Sequence, residues 1–190
     1  MSSFLNQTEL QNLGFGSVGS NVYISKNAQF YNASNIHIKS NVRIDDFCIF
    51  SAGKGGISIS EYVHIGCYTS LIGQGSISIA KFANISTRVS IFSSSDDFSG
   101  NSLTNPMIDK RYKLLSNEPV TIQKHVIIGT NSTVLPGVIL GKGCAIGAHS
   151  LVKESCSPFS VYAGVPVRKI GPRSKKLSIL EKQFIENKQN

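Results

Sequence analysis

Four histidines are the side chains best suited to proton transfer, because imidazole both accepts and gives up a proton near neutral pH. They are His37, His64, His125 and His149, and each is far from the next along the chain. A zinc site needs three or four ligands that converge on one ion, and no two of these histidines form a close pair. The spacing therefore predicts no metal site.

The four cysteines do not suggest a site either. Cys48, Cys67, Cys144 and Cys156 are scattered, with no CxxC pair and no spacing typical of a metal. Cys48 and Cys144 stand at regularly spaced positions that are otherwise occupied by small and β-branched residues. We therefore expect both to be core residues rather than reactive thiols.

Length and composition indicate one globular domain. The chain has 190 residues and a mass of 20.5 kDa, and 41% of its residues are hydrophobic. It contains no apolar run long enough to cross a bilayer, and its start, from Met1 to Gly14, lacks the basic region and apolar core of a signal peptide. We expect a cytoplasmic protein with no membrane segment.

The net charge of +8 is concentrated near the C-terminus, where the segment 168–190 carries seven basic and two acidic side chains. A basic tail can bind nucleic acid, but no recognised nucleic-acid motif accompanies it here. We therefore predict no nucleic-acid partner. A small polyphosphorylated ligand, or solubility alone, explains the charge better.

A six-residue repeat runs through most of the chain and predicts its fold. In the clearest stretch every sixth residue is aliphatic: Ile122, Ile128, Val134, Leu140, Ile146 and Val152. The same frame recurs over 38–50, 59–71 and 79–91, and more weakly over 24–30, with short interruptions between these stretches. A period of six fits neither a helix nor a long strand, and it requires a corner every six residues.

Three such sides make a triangular coil of about 18 residues, and stacked coils about 4.8 Å apart form an all-β parallel β-helix. We divide the chain into an N-terminal helical segment at 1–18, a β-helix at 19–172 and a basic C-terminal helix at 173–190. Short helices are expected near 7–13 and 176–188. The non-repetitive segment 93–118, the excursion loop, leaves the prism between coils, and loops of this length are usually functional.

Two stretches carry a family resemblance: IIGTNSTVLPGVILGKGCAIGAHSLV at 127–152 and YAGVPVRKIGPRSKK at 162–176. Both closely resemble the end of hexapeptide-repeat acyltransferases, most of all the galactoside, maltose and surface-polysaccharide acetyltransferases. The resemblance extends over nearly all of 19–173. It implies a left-handed β-helix, a homotrimer, and acetyl-CoA bound as co-substrate in a groove between two neighbouring prisms.

The cofactor site implied by this resemblance lies along the last coils. Small residues would let the pantetheine arm lie against an extended coil edge, and basic residues beyond them would hold the phosphates. The predicted cofactor-binding residues are Gly129, Thr130, Gly147, Ala148, His149, Lys153, Arg168, Lys169 and Arg173.

This chain departs from the family at the catalytic positions. The family's sugar O-acetyltransferases carry a catalytic histidine in the long loop, and in VSIFSSSDD that place is taken by Asp96. The family's asparagine on the preceding coil falls at Gly66. Two alternatives follow. Either His64 is the general base for a hydroxyl acceptor, or the acceptor is an amine that Asp96 or Asp97 orients and deprotonates.

Together these features predict an acetyl-CoA-dependent acetyltransferase acting on a sugar, free or nucleotide-linked, in bacterial surface glycan synthesis. They leave open the identity of the acceptor, O- or N-acetylation, and the length of the acyl chain. The alternative is a catalytically silent β-helix that binds a ligand or assembles partners. A γ-carbonic anhydrase shares the architecture, but the histidine spacing argues against it.

Overall fold

Three sheets, parallel except for the last strand of the second, form the sides of a triangular prism in the computed structural model, which describes residues 3–188. The first sheet consists of β1 (Ser17–Val18), β4 (Ile36–Ile38), β7 (Ile57–Ile59), β10 (Ile77–Ile79), β15 (Val120–Ile122) and β18 (Ile139–Leu140). The second consists of β2 (Tyr23–Ile24), β5 (Arg43–Ile44), β8 (His64–Ile65), β11 (Asn84–Ile85), β16 (Ile127–Ile128), β19 (Ala145–Ile146), β21 (Ser160–Gly164) and β22 (Val167–Pro172). The third consists of β3 (Gln29–Tyr31), β6 (Ile49–Ala52), β9 (Ser70–Gly73), β12 (Ser90–Phe92), β17 (Thr133–Val134) and β20 (Leu151–Val152).

Strands of successive coils pair in register, so that equivalent repeat positions stack on one another. Ile85 of the second sheet, for example, pairs with Ile65 on one side and Ile128 on the other. The repeated aliphatic side chains are buried along the prism axis and form one continuous core. Cys48 and Cys144 lie in that core. The predicted parallel β-helix and the predicted place of these two cysteines are confirmed.

The lower coils, which precede the excursion loop, are longer than the upper coils, which follow it. In the second sheet Ile44 pairs with Ile65 on the lower coils, whereas Ile128 pairs with Ile146 on the upper coils, at a smaller separation along the chain. The extra length of the lower coils appears in the third-sheet strands Ile49–Ala52 and Ser70–Gly73. These lengthened strands coincide with interruptions seen in the sequence repeat.

The excursion loop projects from the prism as a hairpin. Its ends meet at its base, where the Glu118 amide donates to the Ser93 carbonyl at 3.0 Å. Beyond the base, β13 (Ser94–Asp96) and β14 (Leu115–Asn117) pair antiparallel, with Asp96 opposite Leu115. Because the loop closes on itself, the coils on either side of it stack as if it were absent.

Short helices flank the prism close to where the sequence predicts them. They are α1 at Gln7–Asn12, α2 at Leu177–Glu186, and 3₁₀ helices at Ala33–Asn35 and Lys110–Tyr112. Positions 1, 2, 189 and 190, which belong to the predicted segments 1–18 and 173–190, lie outside the described residues. Within residues 3–188 no helix is long and apolar enough to cross a membrane.

The C-terminal helix α2 packs on the corner between the first and second sheets through an aromatic ladder. The rings of Tyr62, Phe82 and His125 stack with centroids 4.9 and 5.2 Å apart. Phe184 of α2 contacts the first two rings edge-on. The carboxylate of Glu181 accepts a hydrogen bond from His125 Nε2 at 2.7 Å. These contacts tie the end of the chain to its middle coils.

Candidate active site

The second corner, the turn that follows each strand of the second sheet, carries a column of mostly small residues parallel to the prism axis. It contains, from one coil to the next, Ser25, Asp45, Gly66, Ser86, Gly129 and Gly147. The amide of each donates to a carbonyl of the next coil, as in Ser86 to Ile128 at 3.0 Å. The predicted cofactor-binding residues Gly129 and Gly147 therefore lie in the same column as Ser86, on the coils that follow it.

Close stacking of the coils explains why glycine recurs in this column. A Cβ atom at Gly129 would lie 2.5 Å from the Ala148 amide nitrogen, and one at Gly66 would lie 2.8 Å from the Thr87 nitrogen. Ser86 is half-buried and is the hydroxyl-bearing residue between those two glycines. Above Ser86 the column consists of Gly129 and Gly147, so Ser86 is the hydroxyl-bearing residue of the column next to the predicted cofactor positions.

The outer edge of the second corner bears the other predicted cofactor residues of the upper coils. Thr130 donates its hydroxyl to the Thr87 carbonyl at 2.7 Å, which fixes its side chain. Ala148 and His149 are exposed, and His149 Nε2 lies 3.3 Å from the side-chain nitrogen of Asn131. A pantetheine arm lying along this edge would meet small side chains and one imidazole.

Basic residues stand beyond the last coil, as predicted from the sequence. Strands β21 and β22 form a hairpin in which Arg168 pairs with Ala163 and Lys169 pairs with Tyr162. Both basic side chains are exposed. Lys153 is also exposed, and its ion pair with Glu154 spans 3.6 Å between groups largely open to solvent. Such a pair is weak, so Lys153 remains available to a ligand.

Arg173 is held by the chain itself. Its Nη1 atom donates to the carbonyl oxygens of His125, Gly143 and Cys144 at 2.8, 3.2 and 3.1 Å. Burial lowers the pKa of the Arg173 guanidinium below its ordinary value. These contacts favour a structural role, in which Arg173 ties the C-terminal segment to two coils, over the predicted role in phosphate binding.

His64 bridges three successive coils on the outer face of the second sheet. Its Nε2 lies 2.8 Å from Asp45 Oδ2, and its Nδ1 lies 3.0 Å from Asn84 Oδ1. Arg43 donates from Nε to the other oxygen of Asp45 at 2.7 Å. Burial alone would raise the pKa of Asp45, but the hydrogen bonds from His64 and Arg43 lower it below its ordinary value. Both ring nitrogens of His64 thus contact side chains of neighbouring coils, and neither is turned to a substrate.

The two predicted aspartates of the excursion loop differ in their surroundings. Asp97 Oδ1 accepts from the amide and the hydroxyl of Ser99 at 2.8 and 2.6 Å, and these bonds lower the pKa of Asp97. Asp97 therefore stabilises a turn of its own loop. Asp96 ends β13, and its side chain is exposed. Of the two aspartates, Asp96 has the carboxylate that is open to solvent.

Ser86 and Asp96 of one chain lie beyond opposite ends of the third-sheet strand β12. Ser86 precedes β12 at the second corner, whereas Asp96 follows β12 at the next corner. A side of roughly six residues at about 3.3 Å each separates the two corners. One chain alone does not bring the loop aspartate to the corner column.

Ser86 and Asn84 are not among the site residues predicted from the sequence. The repeat frame contains the signal for Ser86, because each residue directly after an inward aliphatic of the second sheet joins the corner column. Asn84 became visible only through its contact with His64. Among residues 3–188 no group of three or more His, Cys, Asp or Glu could hold a metal ion.

Comparisons with known proteins agree with this geometry. The family model described as bacterial transferase hexapeptide (six repeats) matches residues 119–154. The dTDP-4-amino-4,6-dideoxy-D-glucose acyltransferase of Escherichia coli is 53% identical over 182 residues, which cover 96% of this chain and 95% of that protein. The chain belongs to the hexapeptide-repeat acyltransferases. It is therefore an acyltransferase built on the β-helix that its repeat predicts.

Other members of the hexapeptide acyltransferases are similar over most of the chain. The putative lipopolysaccharide biosynthesis O-acetyl transferase WbbJ of Escherichia coli K12 is 32% identical over 148 residues, which cover 74% of this chain and 70% of WbbJ. AntD, an N-acyltransferase from Bacillus cereus, has been solved with dTDP and 3-hydroxybutyryl-CoA. It is 48% identical over the whole of both chains, with a TM-score of 0.93. A variant of AntD was solved with dTDP-4-amino-4,6-dideoxyglucose and coenzyme A; there the similarity covers 98% of this chain and 99% of AntD, also with a TM-score of 0.93.

Proposed function

We propose that this acyltransferase moves an acetyl group from acetyl-CoA to the amino group of a dTDP-linked 4-amino-4,6-dideoxyhexose. The observation that carries the proposal is the exposed Asp96, which stands in the excursion loop where the O-acetyltransferases of the family carry histidine. A hydroxyl acceptor needs a base to become a nucleophile, whereas a neutral amine is one already. A carboxylate suffices to orient the amine and to take its proton.

The relatives support the same acceptor. The Escherichia coli relative is named for a dTDP-linked amino sugar, and AntD was solved with one. AntD has also been solved as variants at a serine and at an aspartate that stand ten residues apart in its chain. Ser86 and Asp96 are likewise ten residues apart here. This shared spacing favours the two residues as the pair that acts on the substrates.

The proposed reaction forms one C–N bond and breaks one C–S bond. The lone pair of the amine attacks the thioester carbonyl carbon, and the sulfur of coenzyme A leaves with the electrons of the C–S bond. Asp96 takes the proton that the nitrogen loses and passes it, directly or through water, to the leaving thiolate, so that free coenzyme A thiol forms and the Asp96 carboxylate is restored. The Ser86 hydroxyl donates a hydrogen bond to the carbonyl oxygen as negative charge develops on it.

We further propose that the active enzyme is a homotrimer in which the excursion loop of one chain covers the second corner of its neighbour. The loop carries apolar side chains that its own chain leaves open: Phe98 is 94% exposed and Met107 is 89% exposed. Apolar side chains exposed to this degree favour a partner surface. Such an arrangement would also bring Asp96 of one chain close to Ser86 of its neighbour. Within one chain the two residues are too far apart to act together.

Acetyl-CoA would then lie along the second corner, with its pantetheine arm beside Gly129, Thr130, Gly147, Ala148 and His149. Its phosphates would meet Lys153, Arg168 and Lys169 beyond the last coil. This placement keeps the thioester near Ser86, because the small-residue column runs without interruption from the last coil to that serine. A role in bacterial surface glycan synthesis fits such an acceptor, and a cytoplasmic location stays a prediction.

A thiol-release assay tests the proposal. Purified protein with acetyl-CoA should release free thiol in the presence of dTDP-4-amino-4,6-dideoxyglucose, but not with dTDP-glucose, which lacks the amine. Mass spectrometry of the product should show an acetyl group on nitrogen. No thiol release with the amino sugar would contradict the proposed acceptor. For the trimer, light scattering should give about three times the chain mass of 20.5 kDa; a mass equal to that of one chain would contradict it.

A further inference from the structure

A groove runs down the second sheet on the lower coils, next to the proposed acyl-transfer site. Its volume is about 400 Å³, and the end of α2 forms one wall. Tyr23 and Arg43 stand on its floor, His64 at its upper end, and Phe184 and Lys188 on the wall. We propose that this groove binds the nucleoside diphosphate part of the acceptor. The inference rests on the proposed function and adds the place where the nucleotide is held.

The groove is aligned with the proposed site of chemistry. The outward residues of the second sheet form one column in which Asn84 pairs with His64, His64 with Arg43, and Arg43 with Tyr23. Three inter-coil steps of about 4.8 Å separate the first from the last, or roughly 14 Å. Asn84 stands two residues before Ser86. A sugar placed beside Asn84 and His64 would therefore extend its diphosphate to Arg43 and its nucleoside to Tyr23.

The charges of the groove complement a diphosphate. The Arg43 side chain is 57% exposed, and its Nε is paired with Asp45. Among the described residues its two terminal nitrogens have no hydrogen-bond partner, so they remain free to grip phosphate oxygens. Lys188 places a second cation on the opposite wall, over the rings of Tyr62 and Phe184. In the part of the chain that the structure describes, no acidic side chain lines the groove.

The lower end of the groove offers a surface for a base. Tyr23 is 48% exposed, and its ring is held edge-on by Phe4, with ring centroids 5.7 Å apart. Nucleobases stack readily on aromatic rings held in this way. Next to it the Asn21 amide donates to Asn41 Oδ1 at 2.7 Å. The remaining oxygen of Asn21 and the amide hydrogens of Asn41 could pair with the edge of a pyrimidine.

The groove is distinct from the proposed cofactor site. The basic residues assigned to the CoA phosphates, Arg168 and Lys169, stand on the hairpin beyond the last coil. Arg43 belongs to β5, near the opposite end of the prism. Two separated basic regions on one prism match two phosphate-bearing substrates that meet between them.

Isothermal titration with dTDP and with thymidine tests the groove on the whole protein. Arg43→Gln and Lys188→Ala should each weaken dTDP binding about 10- to 100-fold, and thymidine binding much less. Lys188→Ala leaves Asp45 and His64 untouched, so it controls for an indirect effect of Arg43→Gln. Tyr23→Leu should weaken dTDP and thymidine alike, by about 5- to 100-fold. Lys54→Ala, an exposed lysine at another corner, should change neither constant.

Steady-state kinetics separate this inference from the proposed function. The three groove variants should raise KM for dTDP-4-amino-4,6-dideoxyglucose and leave KM for acetyl-CoA unchanged. If the wild type acylates the amino sugar but none of the three variants alters its KM or the dTDP constant, the groove is not the nucleotide site, although the function stands. If the wild type neither binds dTDP nor acylates the sugar, both proposals are overturned.

Discussion

The Nε2 atom of His64 lies 2.8 Å from Oδ2 of Asp45, in a contact that joins two successive coils. On its other side the imidazole reaches Asn84 at 3.0 Å. His64, the histidine proposed from the sequence as a general base, thus links three stacked coils through its side chain. Because both nitrogens contact groups of the protein itself, neither is turned to a substrate hydroxyl, and the geometry favours a structural role for His64.

His64→Ala should lower kcat by less than about tenfold, because His64 positions neighbouring groups and does not take the substrate proton. Loss of a general base would instead lower kcat by about 10² to 10⁴. The variant should also lower Tm, since Asp45 and Asn84 lose a shared partner. His37→Ala, on the first sheet, is the matched control for both readouts. A decrease of a thousandfold in kcat would identify His64 as the base after all.

Asp96→Asn should lower kcat for the amino sugar by about 10² to 10⁴, with KM for acetyl-CoA nearly unchanged, because the nitrogen loses its proton acceptor. Asp97→Asn is its matched control. Since Asp97 holds the turn at Ser99, its substitution should loosen the loop and change KM for the sugar more than kcat. Equal kcat values for both variants and the wild type would leave the loop without a catalytic carboxylate.

Arg168→Ala combined with Lys169→Ala should raise KM for acetyl-CoA about tenfold or more, because charge-assisted bonds to phosphate are lost. The same pair should affect 3′-dephospho-CoA less. Tm should stay close to that of the wild type, since both side chains are exposed. An unchanged KM for both forms of the cofactor would remove the hairpin from the cofactor site.

Arg173→Ala should act in the opposite way, lowering Tm by several degrees with little change in KM for acetyl-CoA. Its guanidinium donates to three backbone carbonyls, of which that of Cys144 also accepts from the Ile127 amide. A carbonyl that loses its partner on burial costs about 1–3 kcal/mol. Arg173→Lys keeps the charge but not the forked geometry, so it should recover only part of the stability. A large rise in KM without a change in Tm would return Arg173 to the phosphate site.

Glu181→Gln should destabilise the fold by about 1 kcal/mol at neutral pH, which corresponds to about 2–4 °C in Tm. Burial alone would raise the pKa of Glu181, but hydrogen bonds from Lys124 and His125 lower it below its ordinary 4.5. A carboxyl with a lowered pKa stabilises the folded chain above its unfolded pKa, and that stability is lost as pH falls through the folded pKa. Denaturant titrations should therefore show the difference between Glu181→Gln and wild type shrinking as pH falls below about 4.5. A difference that does not depend on pH would contradict the ion pair.

The fold was predictable because a period of six is a local property of the chain. The spacing of the inward aliphatic residues from Ile24 to Val152 is enough to predict that they are buried. It also locates the corner that follows each of them, without knowledge of any distant contact. The interruptions of the repeat could be located for the same reason, because extra residues on one side of a coil shift the six-residue spacing by that number of residues. The excursion loop was identifiable too, because it breaks the repeat, and Asp96 within it stays a prediction.

The roles of individual polar residues required the tertiary structure. The sequence shows His64 as an outward histidine, but its partners Asp45 and Asn84 stand 19 and 20 positions away, on stacked coils. In the sequence Arg173 is one of several basic residues of the tail, and only the structure shows that it donates to three carbonyls. The groove joins Arg43 of an early coil to Lys188 near the end of the chain. Periodicity determines which residues face inward, whereas stacking of the coils and docking of α2 decide which outward residues meet.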